Sequence, residues 1–427
     1  MARPNFLHVI VDDLRTTPGH TPHLDELASS GLTLLRAFSQ VPQCTPSRAS
    51  FFTGRTPRFT NSLPHSEGGR PATQDPSGAA LRTLPQYLKR SGYRCVGAGK
   101  LLPYVDYLGS LKICEAWCRN PEAVSTWAER CGWSGACAGC AECAVPDAPT
   151  WDEYFEIDRP QRATCAPTAG APSAPSSSSW PTAGAYERCT RYAGGSCSAA
   201  VPSVWCAQGD ARDGDRAAVG TFHEDLEYTQ RAVEWLDDIG RASSPPPFYV
   251  AVGLRKPHTP FIAPSKFYAQ ADALLLGANA TARAARAAWP ISAAPDFPVD
   301  GSLTKLSYSS CLAIGGGGYS TLRVGGRGAL SLREPLPTPA QRALRRAYAA
   351  CARFADDNIG QLLNALRANR LDDSTVVLVH SDHGFSLGER NAWCKKTSRA
   401  DANRVPLILR APGMAAAGRR SHALVGV

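Results

Sequence analysis

The strongest constraint on this chain is a set of short apolar runs that each stop at charged residues. Phe6 to Val11 is apolar apart from His8 and ends in Asp12-Asp13. Tyr93 to Ala98 ends at Gly99-Lys100, and Phe248 to Leu254 ends at Arg255-Lys256-Pro257-His258. Thr375 to His380 ends at Ser381-Asp382-His383-Gly384. Runs of this length without polar alternation are expected of strands buried on both faces. Helix signals lie between them. Thr21-Pro22 reads as N-cap and first helical residue, Asp25 and Glu26 fall in the first turn, and Gly31 closes the helix. Thr83, Pro85 and Gly92 repeat the pattern. His223 to Ile239 and Thr338 to about Arg370 also read as helices, and Val405 to Leu409 as a last strand. Strands alternating with helices imply an α/β fold, a mostly parallel sheet flanked by helices. In such sheets ligands bind beyond the carboxyl ends of the strands, where the charged residues gather here.

The 427 residues, 43% of them hydrophobic, allow one large α/β domain or two smaller ones. No run of eighteen apolar residues occurs, so no stable membrane insertion is expected. The net charge of +9 suits an anionic substrate; it equally fits a chain simply rich in Ala and Arg. No Lys/Arg block marks a nucleic-acid arm. Residues from about 112 to 220 read as an insertion with little regular structure. It carries ten of the 15 cysteines, from Cys114 to Cys206, and a Pro/Ala/Ser stretch around Ala171 to Ser179. That density points to disulfides in an oxidising compartment. With Cys44 set aside, an even number of cysteines remains, which permits full pairing. Cys137, Cys140 and Cys143 form a C-x-x-C-x-x-C run, but no fourth cysteine follows at ferredoxin spacing. A second irregular region holds Gly315 to Gly318. The apolar stretch of MARPNFLHVIVDD is too short for a secretory signal, which leaves a cytoplasmic protein or a mature or 5′-truncated sequence. The cysteines and the Asn279-Ala280-Thr281 sequon favour a secreted or lysosomal, endomembrane-lumen location.

Asp12 and Asp13 on one strand end and Asp382 on another would repel unless a cation lies between them. Oxygen ligands select a hard ion such as Ca²⁺ or Mg²⁺. An Asp-Asp pair alone can simply cap a turn; joined to Ser381-Asp382-His383-Gly384 it reads as a metal site. In Cys44-Thr45-Pro46-Ser47-Arg48, Pro46 fits an early helical position and sets Cys44 near a helix N-terminus, which activates a thiolate. A cysteine-phosphatase loop needs an arginine six positions on, where Ser50 stands. An inert core thiol is the other reading of that cysteine.

Cys44-Thr45-Pro46-Ser47-Arg48 with Thr53-Gly54-Arg55 resembles the sulfatase signature C-x-P-S-R followed by T-G-R. The likeness runs through VDDLR, GAGK, GLRKPHTPF and SDHGFSLGE, and spans nearly the whole chain outside the cysteine-rich insertion. Their order is similar to the iduronate-type members, within the alkaline-phosphatase-like superfamily. The resemblance implies a sulfatase catalytic domain over residues 1–427. It implies that a formylglycine-generating enzyme oxidises Cys44 to formylglycine, whose hydrate attacks a sulfate ester and then expels sulfate. It assigns one Ca²⁺ to Asp12, Asp13, Asp382 and His383 together with modified Cys44. Arg48, Lys100 and Lys395 would stabilise transition-state charge, and His258 would protonate the leaving alcohol. Lys256 is a weaker candidate, and Lys396 is expected at solvent or the pocket rim. The implied substrate is a sulfated carbohydrate or another sulfate ester. A phosphate monoester or phosphonate hydrolase on the same scaffold is an alternative, as is a catalytically impaired protein that binds sulfated glycans.

Two departures from the family pattern stand out. The family carries a histidine two or three residues after the GAGK lysine, whereas Leu101-Leu102-Pro103 follows Lys100 here. Slow sulfate release, or a different base, is the expectation. The chain also stops at Val427, soon after its last expected strand, so a C-terminal subdomain looks truncated.

Overall fold

A computed structural model of the chain describes residues 3–16, 21–60, 62, 82–101, 151–155, 205–208, 224–258, 261–276, 338–389, 392–395, 397–415 and 417–427. Its strands are β1 (Asn5–Val11), β2 (Leu32–Phe38), β3 (Arg94–Gly99), β4 (Glu153–Phe155), β5 (Trp205–Gln208), β6 (Phe248–Leu254), β7 (Phe261–Pro264), β8 (Thr375–Ser381), β9 (Ser386–Leu387), β10 (Trp393–Cys394), β11 (Arg404–Val405), β12 (Leu407–Arg410) and β13 (Arg419–Gly426). Its helices are α1 (Pro22–Ser30), α2 (Cys44–Thr53), α3 (Leu84–Arg90), α4 (Glu224–Arg241), α5 (Ser265–Leu276), α6 (Thr338–Ala368) and α7 (Ala400–Asn403).

One sheet organises the molecule. β8, β1, β6, β3 and β4 lie side by side in that order, all parallel. Beyond β8 the sheet continues through β12 and β11 to β2, and β13 pairs with β2 along its other edge. β11 and β12 run against their neighbours, so the sheet is mostly parallel, as the apolar runs imply.

Helices cover both faces, which is why the central strands show no polar alternation. Leu7, Val9 and Val11 of β1 join a large core with Leu24 and Leu27 of α1, Trp235 and Leu236 of α4, and Tyr348 and Phe354 of α6. Ile10 points the other way, to Ala49 and Phe52 of α2 and Tyr93 ahead of β3. The helix signals are visible at the caps. Thr83 and Gln86 form a capping box at α3, and Pro22 opens α1.

The expected last strand is split by Pro406 into β11 and β12. Proline has no N–H to offer a ladder. β2 and β13, absent from the sequence reading, are an edge pair; β13 is largely exposed, so it lacks the continuous apolar run that marks a central strand. Within the 112–220 stretch the described residues are β4, β5 and the flanking Trp151 and Asp152, and β4 extends the main sheet. The Cys137–Cys143 run, Ala171 to Ser179, Asn279, Gly315 to Gly318 and Lys396 lie outside the described residues. Cys95 and Cys351 are buried free thiols, so the even number left by Cys44 does not mean full pairing.

His8, the polar exception in β1, has a partner on each side. Its Nδ1 lies 2.8 Å from the Tyr249 hydroxyl of β6 and its Nε2 lies 2.8 Å from Nε2 of His380 on β8. His380 Nδ1 is 2.9 Å from the Ser381 carbonyl, which can only accept. That fixes both tautomers when the rings are neutral: His380 Nδ1–H donates to the carbonyl, His8 Nε2–H donates to His380, and Tyr249 donates to His8. Burial, and for His8 also the neighbouring His380, opposes protonation; His8 falls well below the usual imidazole range and His380 to about 4. A base depressed on folding binds its proton more readily in the unfolded chain. Stability is therefore present above about pH 6.5 and drains away as pH falls toward about 4. The His380 displacement from 6.5 corresponds to about 3 kcal/mol at full protonation. Guanidinium unfolding at about pH 7 and about pH 5 should show this drop, and His380→Gln should lose part of it. An identical pH slope in that variant would count against the pairing.

Candidate active site

The four charged strand ends are level. In the register, Val11 of β1 lies opposite Leu254 of β6 and Ser381 of β8, and Gly99 of β3 lies opposite Gly253. Four neighbouring strands thus stop together and release Asp12-Asp13, Lys100, Arg255 to His258, and Asp382-His383 into one space. Close approach of β3 and β6 at this edge requires glycine on both sides. A Cβ on Gly253 would sit 1.8 Å from the Lys100 carbonyl, and one on Gly99 would sit 2.3 Å from the Gly253 carbonyl.

Asp12, Asp13 and Asp382 are fully buried. Arg48, Lys100 and Lys395 neutralise them. Lys100 Nζ bonds Asp12 Oδ2, Lys395 Nζ lies 2.6 Å from Asp13 Oδ1, and Arg48 Nε lies 3.0 Å from Asp382 Oδ2. Burial alone would raise Asp12, but Lys100, then His258, Arg48 and Lys395, hold it well below the usual carboxylate range. Asp13 goes the other way. Burial raises it, and Asp12 and Asp382 add to that against the pull of Lys395 and His383. His383 Nε2 lies 3.3 Å from Asp13 Oδ1; burial opposes its charge, yet Asp382, Cys44 and Asp13 lift it to about 9.

Arg48 is fully buried, and its guanidinium faces inward. Besides Asp382 it bonds the carbonyls of Lys100 and Leu101. These bonds tie the β3 and β8 ends together, and Arg48 Nη2 lies 3.8 Å from Asp12 Oδ1.

Asp13 has φ of 64°, a left-handed backbone that a non-glycine residue rarely adopts. The surrounding groups hold it there. Its N–H donates to Asp382 Oδ1 at 3.1 Å, and its carbonyl accepts from the Tyr348 hydroxyl of α6 at 2.7 Å. The same hydroxyl accepts from the Arg15 N–H at 2.8 Å. Ser381 Oγ accepts from Leu14 N–H at 2.9 Å and lies 2.6 Å from the Val11 carbonyl. Sequence reasoning found neither Tyr348 nor this role of Ser381. Nothing in the sequence marks Tyr348, which sits in the apolar stripe of α6.

Cys44 is the first residue of α2, 6% exposed. Its Sγ lies 3.0 Å from Lys395 Nζ, 3.3 Å from Asp12 Oδ1 and 3.4 Å from His383 Nε2. One ligand atom each from Asp12, Cys44, Asp382 and His383 lie within 4.8 Å of one another, and so do those of Asp12, Asp13, Cys44 and His258. In an oxidised protein Cys44 Sγ would be replaced by an aldehyde-derived oxygen. The donors would then be carboxylate oxygens, that oxygen and one imidazole nitrogen, which fits a hard divalent cation. Among the described residues, the structure thus brings together the catalytic and metal-ligand candidates named from the sequence. Lys256 is the exception, since its Nζ donates to the His258 carbonyl at 3.2 Å within its own turn.

A family model described as Sulfatase matches residues 4–427. Iduronate 2-sulfatase of Mus musculus is 27% identical over 419 residues, covering 96% of this chain and 60% of that protein. Iduronate 2-sulfatase of Homo sapiens is 28% identical over 419 residues, with the same 96% and 60% coverage. The chain therefore spans about 60% of the length of these relatives. Among solved structures, the phosphonate monoester hydrolase of Agrobacterium radiobacter superposes with a TM-score of 0.59 at 16% identity, covering 99% of this chain and 71% of that one. The fold is the mixed, mostly parallel α/β arrangement of sulfatases and alkaline-phosphatase-like hydrolases. With the family model matched from residue 4 to the last, the chain belongs to the sulfatase family.

Proposed function

We propose that this protein hydrolyses sulfate esters, with a sulfated sugar as the natural substrate class. The observation that supports this best is the set of contacts around Cys44: a helix-start cysteine within 3.4 Å of Asp12, His383 and Lys395. Oxidation of Cys44 by a formylglycine-generating enzyme supplies an aldehyde whose hydrate is the nucleophile. Asp12, Asp13, Asp382 and His383 would hold a divalent cation, Ca²⁺ in this reading, which would supply Lewis acidity at the same point.

The chain's own residues do the rest. Lys100 and Lys395 now neutralise Asp12 and Asp13. A cation on those carboxylates would free both ammonium groups for the sulfate oxygens, where negative charge grows in the transition state. Burial of the cluster excludes water and strengthens each of these interactions. His258 lies close to Asp12, Asp13 and Cys44 and serves as the acid for the departing alcohol. Arg48 fixes Asp382 and sets its positive charge beside Asp12. The cysteine-rich stretch and the sequon support a disulfide-bonded, secreted or endomembrane-lumen protein. Among the described residues no helix is long and apolar enough to cross a membrane.

Mass spectrometry of the Cys44 peptide, after expression with a formylglycine-generating enzyme, should show the thiol replaced by an aldehyde. Such protein should turn over 4-nitrophenyl sulfate faster than 4-nitrophenyl phosphate. A reversed preference would reject sulfate esters in favour of phosphate or phosphonate esters. Cys44→Ala should lower kcat by about a thousandfold or more. Binding of a sulfated sugar without any turnover by fully oxidised protein would instead indicate a non-catalytic binder.

Tyr348→Phe removes one hydroxyl that holds the Asp13 carbonyl. It should weaken Ca²⁺ binding, read by calorimetry, by about 10- to 100-fold. Unchanged affinity would show that Asp13 keeps its backbone conformation without Tyr348.

A further inference from the structure

The ladder that carries β6 stops at Leu254, which pairs with Val11 and whose carbonyl accepts from Asp12 N–H at 3.0 Å. The next two N–H groups, on Arg255 and Lys256, have no strand to bond. A side chain from elsewhere takes both. Asp225, in the first turn of α4, accepts from Arg255 N–H at Oδ1 (2.7 Å) and from Lys256 N–H at Oδ2 (2.8 Å). Asp225 is 2% exposed. Its neighbour Glu224 pairs with the Arg255 guanidinium at 2.8 Å, which leaves Asp225 to the backbone.

A buried carboxylate is costly unless its hydrogen bonds are made, and here both oxygens are used on one short segment. Burial raises Asp225 to about 6, even with the two N–H groups pulling it down. The segment it holds is a tight turn. His258 N–H donates to the Arg255 carbonyl at 2.9 Å, and Lys256 Nζ donates to the His258 carbonyl at 3.2 Å. At the end of that turn the His258 imidazole stands within 4.8 Å of ligand atoms of Asp12, Asp13 and Cys44.

We infer that Asp225 is a positioning residue: its two backbone hydrogen bonds set the Arg255–His258 turn and so place the His258 imidazole against the leaving group. This rests on the reading of His258 as the acid that serves the departing alcohol. A merely structural carboxylate would lower activity evenly for all substrates. A positioning one would matter most where the leaving group needs its proton, because an alkoxide of a weakly acidic alcohol is a poor leaving group.

The test uses the full oxidised, metal-loaded chain and a series of aryl sulfates from 4-nitrophenyl sulfate to phenyl sulfate. In Asp225→Asn, kcat for phenyl sulfate should fall about tenfold further than kcat for 4-nitrophenyl sulfate, and His258→Gln should show the same trend more steeply. Labelling of His258 by diethyl pyrocarbonate, read by mass spectrometry, should be several-fold faster in Asp225→Asn (about three- to tenfold) as the turn loosens. Asp225→Glu keeps the charge but moves the oxygens, and should lie between wild type and Asp225→Asn. It replaces Asp225→Asn if that variant does not fold. An even loss across the series in the Asp225 variants, with His258→Gln still dependent on the leaving group, overturns the positioning role alone. An even loss in His258→Gln itself removes the acid reading, and the inference with it.

Discussion

Three carboxylates buried from bulk solvent define this molecule. Asp12, Asp13 and Asp382 occupy a few ångströms of protein interior, where like charges repel strongly and solvent does not relieve them. Every other element of the site answers that repulsion. Two lysines and one arginine arrive from three different segments: Lys100 pairs with Asp12, Lys395 with Asp13, and Arg48 with Asp382 and Asp12. The acids divide the burden unevenly: Asp12 is held ionised, while Asp13 is pushed toward its neutral form.

The parallel sheet turns this local requirement into a fold. Because β8, β1, β6 and β3 stop at the same level, residues remote in sequence meet at one edge of the sheet. That much was legible from the chain. The apolar runs located the central strands to within a residue or two, and the charged residue after each run marked the active edge. Proline and threonine at the helix starts gave α1 and α3 their beginnings.

Other features were not legible, for physical reasons. β2 and β13 form a sheet edge, and half-exposed strands carry no distinctive apolar run. The support behind the site was also hidden. Tyr348 acts through a hydroxyl on an otherwise apolar helical face, Ser381 through local backbone bonds, and Asp225 through two amides. A sequence shows that an acid sits in the first turn of α4, where acids are ordinary; it does not show that the acid bonds another segment. Arg48 was legible as a site residue, but its bonds to Asp382 and to the carbonyls of Lys100 and Leu101 were not, because a signature names a residue without saying what it touches.

The burial of Cys44 has a consequence for the order of events in making this protein. Its sulfur is enclosed by groups from residues 12, 383 and 395, so the modifying enzyme proposed above would have to reach the surrounding peptide before those segments close on it. Residue 44 leaves the ribosome long before 383 and 395 do, and at about 5–20 residues per second that gap lasts tens of seconds. Under the maturation proposed above, the window for chemistry at residue 44 would fall during synthesis, before β8 brings His383 into place.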